Sequence, residues 1–277
     1  MLIDSYKTNH PEPVMKLNRT FLAAMLAFSA TATQASVLLY SQNFENPDLP
    51  AFNANTGFGG KDASYSSVND IYANQPAGFT FAQQWTVETL RVGGNQAWGG
   101  AGFQDPQSRA GSYVIGMLSS ANDDRLGLSF NIGAYKFFNF QLDISSIDLN
   151  FWGGRFVPTG GLAPSFRLSL YDNPTGVANV GTATLLDSVD ITGVLSSAPN
   201  VFNWTNHIAG LDTTGNTNGN VTLVIDELVG GYAALDNFRI VASDTQGDVG
   251  QVPEPAALAL LGMGMAALGL SRRRRHA

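Results

Sequence analysis

The sequence predicts an all-β fold, an antiparallel two-sheet β-sandwich of jelly-roll type. Three observations lead there. Apolar residues alternate with polar ones in Phe166-Arg167-Leu168-Ser169-Leu170 and in Phe138-Asn139-Phe140-Gln141-Leu142-Asp143-Ile144, the pattern of strands with one buried and one solvated face. Helical periodicity is scarce, and clusters of Gly, Asn, Asp, Pro and Ser punctuate short apolar runs. The stretch from Ser36 to Gly250 is about 215 residues long, enough to bury the core of one sandwich without covalent staples.

Eleven strands are expected in chain order: Val37–Phe44, Phe79–Val87, Tyr113–Leu118, Leu126–Ile132, Phe137–Ile144, Ile147–Trp152, Phe166–Tyr171, Thr184–Ile191, Val201–Trp204, Val221–Glu227 and Ala233–Val241. Turns between them are expected at Gly93-Gly94-Asn95, at Asn173-Pro174-Thr175-Gly176 and across Gly215–Asn220, where positive φ and Asx turns are easily adopted. The Gly- and Asn-rich stretch Gly57–Asn74 reads as a long loop. The folded domain is placed at residues 36–242, and the polar, Gly-containing segment 243–251 reads as a flexible linker.

Both ends carry processing features. Residues 1–35 read as an extension and a signal helix. Met1–Val14 is polar, and Met15 is expected to be the true start. Lys16 and Arg19 form a charged region, Phe21–Ala30 is a ten-residue apolar run, and Ala35 suits cleavage by signal peptidase. At the other end, residues 252–277 combine Pro253-Glu254-Pro255, the uncharged apolar run Ala256–Leu270 and the arginines Arg272, Arg273, Arg274 and Arg275. The prolines keep their tripeptide extended, so that a cleft can read it. As a helix the apolar run spans about 22 Å at roughly 1.5 Å per residue, short for a ~30 Å hydrocarbon core but sufficient if Val252–Ser271 is included or the bilayer thins. The arginines hold that end in the cytoplasm.

In these three parts, taken in order, Val252–Arg275 resembles the PEP-CTERM sorting domain. The resemblance implies export through the inner membrane, a transmembrane helix at 256–270 that anchors the chain transiently, and recognition of Pro253, Glu254 and Pro255 by an exosortase, a membrane cysteine protease-transpeptidase. It further implies a cell-surface or extracellular destination in a Gram-negative bacterium that makes exopolysaccharide and biofilm. Pro11-Glu12-Pro13 repeats the tripeptide without a following apolar run or arginines, and is coincidental.

The domain has a weaker resemblance of its own. Ser41-Gln42-Asn43-Phe44-Glu45 at its start and Ala234-Leu235-Asp236-Asn237-Phe238-Arg239-Ile240 at its end resemble carbohydrate-binding and lectin-like jelly rolls. There the first and last strands pair, and the resemblance implies that Glu45 and Asp236 share a structural calcium. That ion takes six to eight oxygens, so backbone carbonyls must complete the shell. The alternative is that Glu45 and Asp236 cap turns or face solvent.

Composition excludes several chemistries. No cysteine is present, which removes disulfides and thiolate metal sites. Ser36–Gly250 holds eight Lys/Arg against nineteen Asp/Glu, a net of about −11, a charge that repels nucleic acid. His207 is the one histidine of the domain, and no G-x-S-x-G elbow accompanies it. Asp226-Glu227 ends a strand whose successive side chains diverge, and Asp123-Asp124 sits in a turn, so neither is a ready acid/base pair. Trp98 and Trp152 stand beside Gly pairs, where an exposed ring could stack on a sugar; Trp85 and Trp204 are the other two. Core packing is the competing role for all four. The expected function is a non-enzymatic binding or structural protein associated with matrix exopolysaccharide; the alternative is a secreted polysaccharide hydrolase using carboxylates.

Overall fold

The computed structural model describes residues 35–45, 47, 63–64, 72, 80–84, 87–93, 103–117, 124–148, 162–180, 183–229 and 232–250. Expectations for the signal helix, Trp85, Trp98, Trp152, Pro253–Pro255, the 256–270 helix and Arg272–Arg275 fall outside them.

Among the described residues, twelve strands form two sheets. They are β1 (Val37–Gln42), β2 (Ala63–Ser64), β3 (Thr80–Gln84), β4 (Val87–Arg91), β5 (Tyr113–Met117), β6 (Arg125–Asn131), β7 (Phe137–Ser146), β8 (Ser165–Asp172), β9 (Leu185–Thr192), β10 (Thr205–Asp212), β11 (Asn220–Val229) and β12 (Ala233–Ser243). One sheet runs β10-β7-β12-β5-β4-β2, with β1 also on β12; the other runs β3-β6-β11-β8-β9. Every strand pair is antiparallel.

The last eight strands nest. β8 pairs with β9, β7 with β10, β6 with β11 and β5 with β12. A long ribbon folded over itself in this way is a jelly roll, with four strands of the ribbon in each sheet. β1 then lies along β12, so the first and last strands meet.

Alternation explains which face each strand buries. Phe138, Phe140, Leu142 and Ile144 of β7, Phe166, Leu168 and Leu170 of β8, and Val221, Leu223 and Ile225 of β11 all enter one core between the sheets. A second, smaller cluster forms on the outside of the seven-stranded sheet, where Leu90, Val114 and Ala234 are covered by Phe103, Phe202 and Trp204. Phe103 and Phe202 stack at 5.2 Å, and Trp204 leans on Phe202 at 4.9 Å. Trp204 is therefore a packing residue.

The structure corrects several sequence expectations. Phe79–Val87 is not one strand: β3 and β4 lie in different sheets. β7 ends at Ser146, and Ile147 and Asp148 are outside it. Val201–Trp204 contributes a single bridge at Val201, while the strand is the following segment, β10. The stretch 57–74 contains β2, paired to β4. The segment after β12, expected as a flexible linker, is hydrogen-bonded to the sheet through residue 250.

Turn chemistry is satisfied locally. Gly176 at φ +71° closes the turn by donating to Asn173 O. Buried Asp172 ties this turn to the β10–β11 loop, accepting from Asn216 Nδ2, Thr217 N and Thr217 Oγ1. Asp172→Ala removes the acceptor of Thr217 N and Oγ1 and one of the two bonds of Asn216 Nδ2, and urea unfolding is expected to show a loss of about 2–3 kcal/mol.

Candidate functional site

The end of β1, the middle of β12 and the turn before β5 converge at one acidic corner. A bulge in β12 between Asp236 and Arg239 shifts its register on β7, and Asn237 takes φ +53° there. The bulge turns consecutive side chains away from strict alternation. Phe238 goes to the core, and Asn237 and Asp236 are left at the corner. Phe44, also at φ +53°, buries its ring against Phe238 and Tyr72, and this carries Glu45 across to β5.

Glu45 Oε1 accepts from Ser112 N at 2.6 Å and Tyr113 N at 3.1 Å. Gly111, at φ +56°, lies so close beneath that carboxylate that a Cβ there would collide with it. Asp236 is fully buried. Its Oδ1 accepts from Asn237 N at 2.6 Å, while Oδ2 has no hydrogen-bond partner among the described residues. Burial pushes its pKa up to about 8, opposed by the Asn237 hydrogen bond and reinforced by Asp143, Glu45 and Asp105. Burial likewise pushes the Tyr72 hydroxyl up.

The neighbouring acids are occupied. Asp143, on the outer face of β7, accepts from Arg109 Nη2 (3.0 Å), Asn206 Nδ2 (2.8 Å) and Asn237 Nδ2 (3.0 Å). Asp105 closes its own turn by accepting from Gln107, Arg109 and Ala110 N. Among the described residues no three Asp, Glu or His side chains gather as a ready metal set. A cation at this corner would therefore draw on Asp236 Oδ2, on Glu45 and on main-chain oxygens. A buried carboxylate oxygen with no donor among the described residues fits such an ion, because ionised Asp236 otherwise has one backbone N–H against three neighbouring acids.

Beside the corner, on the outer face, lies a groove of about 370 Å³ lined by Ser41, Gln42, Asn43, Gln141, Asn237, Phe238 and Arg239. Apart from Phe238 its lining residues carry amides, a hydroxyl and a guanidinium, and no carboxylate is among them. His207 is not part of it. It sits on β10 opposite Leu142, its Nε2 is 3.1 Å from Thr205 Oγ1, and burial lowers its pKa.

The groove and Asp143 were not singled out by the sequence. The available signal was the run of polar residues on one face of β7, Asn139, Gln141 and Asp143, where a solvated face carries no need for specific amides.

Comparison with curated proteins gave no match. Among solved structures, the fold is similar to a Stig cyclase from Fischerella sp. TAU, at 15% identity and TM-score 0.42 over 76% of this chain and 98% of that one. It is similar to the CBM22-1 xylan-binding domain from Paenibacillus barcinonensis, at 9% identity and TM-score 0.39 over 77% and 99%. It is also similar to a family 22 carbohydrate-binding module of Clostridium thermocellum, at 14% identity and TM-score 0.34 over 59% and 85%. The family match lies at the other end of the chain: residues 251–275 are a PEP-CTERM protein-sorting motif, which marks this protein as exported and sorted by an exosortase.

Proposed function

We propose that this protein is a non-enzymatic surface or matrix protein whose jelly roll binds polysaccharide in the polar groove beside the acidic corner. The groove carries the reading. Planar amides offer paired donors and acceptors that suit the vicinal hydroxyls of sugars, and the Arg239 guanidinium, whose Nε and Nη2 hold the Val249 and Gly250 carbonyls, adds its remaining N–H groups. Gln141 stands in the groove between β12 and β10, where it can meet a chain laid along the sheet. Calcium at Glu45 and Asp236 would fix the bulge that carries Asn237 into the groove. Signal peptidase at Ala35 and transient anchoring by 256–270, with Arg272–Arg275 inside, complete the route.

The test is binding of the purified 36–250 chain to the host's own exopolysaccharide, with and without calcium. Saturable binding is expected, and Gln141→Ala is expected to weaken it about five- to tenfold, the equivalent of ~1 kcal/mol, with unchanged Tm. Equal binding by the variant would remove the groove from the proposal.

One observation favours a hydrolase as the second reading: burial pushes the Asp236 pKa up to about 8 with Asp143 among the charges around it, and a carboxyl kept protonated near neutral pH is the kind of group that serves as a general acid. Against it, Asp236 is fully buried and Asp143 is held by three donors. Reducing-sugar release that disappears in Asp236→Asn would support the enzyme instead.

A further inference from the structure

The chain between the jelly roll and the sorting motif is strapped down. Asn139 on β7 grips it twice: Nδ2 donates to Thr245 O at 3.1 Å, and Oδ1 accepts from Gly247 N at 2.6 Å. Gln246 Nε2 donates to Gly210 O on β10 at 2.9 Å. Arg239 on β12 donates through Nε to Val249 O at 2.6 Å and through Nη2 to Gly250 O at 3.2 Å. Asp248 locks the turn, accepting from Ser243 Oγ and Gly250 N at 2.8 Å each. Val249 is buried. Gly210 leaves the strap room, since a Cβ there would collide with Gly247 N and with Asn139 Oδ1.

Pro253 follows Gly250 by three residues. A fully extended chain covers about 3.3–3.6 Å per residue, so the motif begins within roughly 11 Å of the last clamped carbonyl. An enzyme that reads an extended peptide does so through main-chain hydrogen bonds to several consecutive residues. On the amino-terminal side of the motif those residues are Val249, Gly250, Gln251 and Val252. The carbonyls of the first two are already held by Arg239. The sandwich itself would also press against any membrane-embedded enzyme at that distance.

We propose that the 243–250 strap is a built-in restraint on sorting: Arg239 and Asn139 hold the residues that the processing enzyme must take up, so that cutting waits for the strap to lift. This rests on the exosortase reading of the tail. The strap has the low-cost opening expected of such a device, being short and held mainly by side chains.

The test is a pulse–chase of the full chain in exosortase-containing cells, following conversion of precursor to processed product. Four chains are compared: wild type, Arg239→Met, a chain with eight Gly/Ser residues inserted between Gly250 and Gln251, and a chain combining the two changes. The insertion alters no strapped residue, so it stays informative if Arg239→Met misfolds. Both variants are expected to be processed about tenfold faster, a change equivalent to ~1.4 kcal/mol, and the combined variant no faster than the insertion alone. Wild-type rates in the insertion chain would overturn the restraint while leaving sorting intact. Absence of processing in every chain, wild type included, would overturn the exosortase reading and the restraint together.

Discussion

Phe44→Ala is expected to destabilise the domain by about 3–5 kcal/mol, the range for removing a fully buried aromatic ring. Phe44 has no exposed surface. Its ring meets Phe238 edge-on at 5.0 Å and Tyr72 at 5.4 Å, contacts that add to area burial. The backbone makes the loss worse. At φ +53° the residue sits where L-residues are strained, and alanine keeps that strain without the ring that offsets it. Phe44 N also donates to Gln42 Oε1, a bond that survives the substitution, so the effect isolates the ring. Guanidinium unfolding should show the loss, with Phe44→Leu intermediate. A change below about 1 kcal/mol would mean that the end of β1 lies outside the cooperative unit.

The second large effect is in pH dependence. Asp236 has its pKa raised to about 8 in the fold, against ~3.9 in an unfolded chain. Between those values the unfolded chain has released the proton and the native chain keeps it. The unfolded state then binds fewer protons, so stability falls as pH rises from about 4 to about 8 and levels off above. In chelator the fall is expected to be on the order of 3 kcal/mol. This is less than the full shift at ~1.36 kcal/mol per unit would give, because an ionised corner can open and admit water. Calcium reverses the sign of the local field. Beside a dication the ionised form is favoured, so millimolar calcium should flatten the curve and raise Tm at pH 8. Asp236→Asn should abolish both the slope and the calcium response. A slope that persists in Asp236→Asn would assign the titration to another group, and a calcium response that persists would take the ion away from this corner.

How much of this was legible beforehand follows from where each interaction lies along the chain. β8 and β7 were readable because Phe166–Leu170 and Phe138–Ile144 alternate cleanly, and alternation is a local consequence of the pleat. β10 was missed because Thr205–Asp212 is an edge strand with only Leu211 fully buried, so little apolar pattern was required of it. β3 and β4 were merged because no glycine or proline marks the crossing between sheets at Trp85-Thr86.

The sequence by itself determined the alternation of faces, the absence of thiol chemistry, the acidity of the domain and the sorting motif, all of which depend on residues within a few positions of one another. Only the tertiary structure decided the rest. The nesting that makes a jelly roll pairs β5 with β12 across more than a hundred residues. The bulge at Asp236–Arg239 gathers Glu45, Asp105 and Asp143 around one buried oxygen. Asn139 and Arg239 turn a polar tail into a strap. These contacts join side chains whose local surroundings give no preference for one another; chain topology brings them together, and one-dimensional patterning does not encode it.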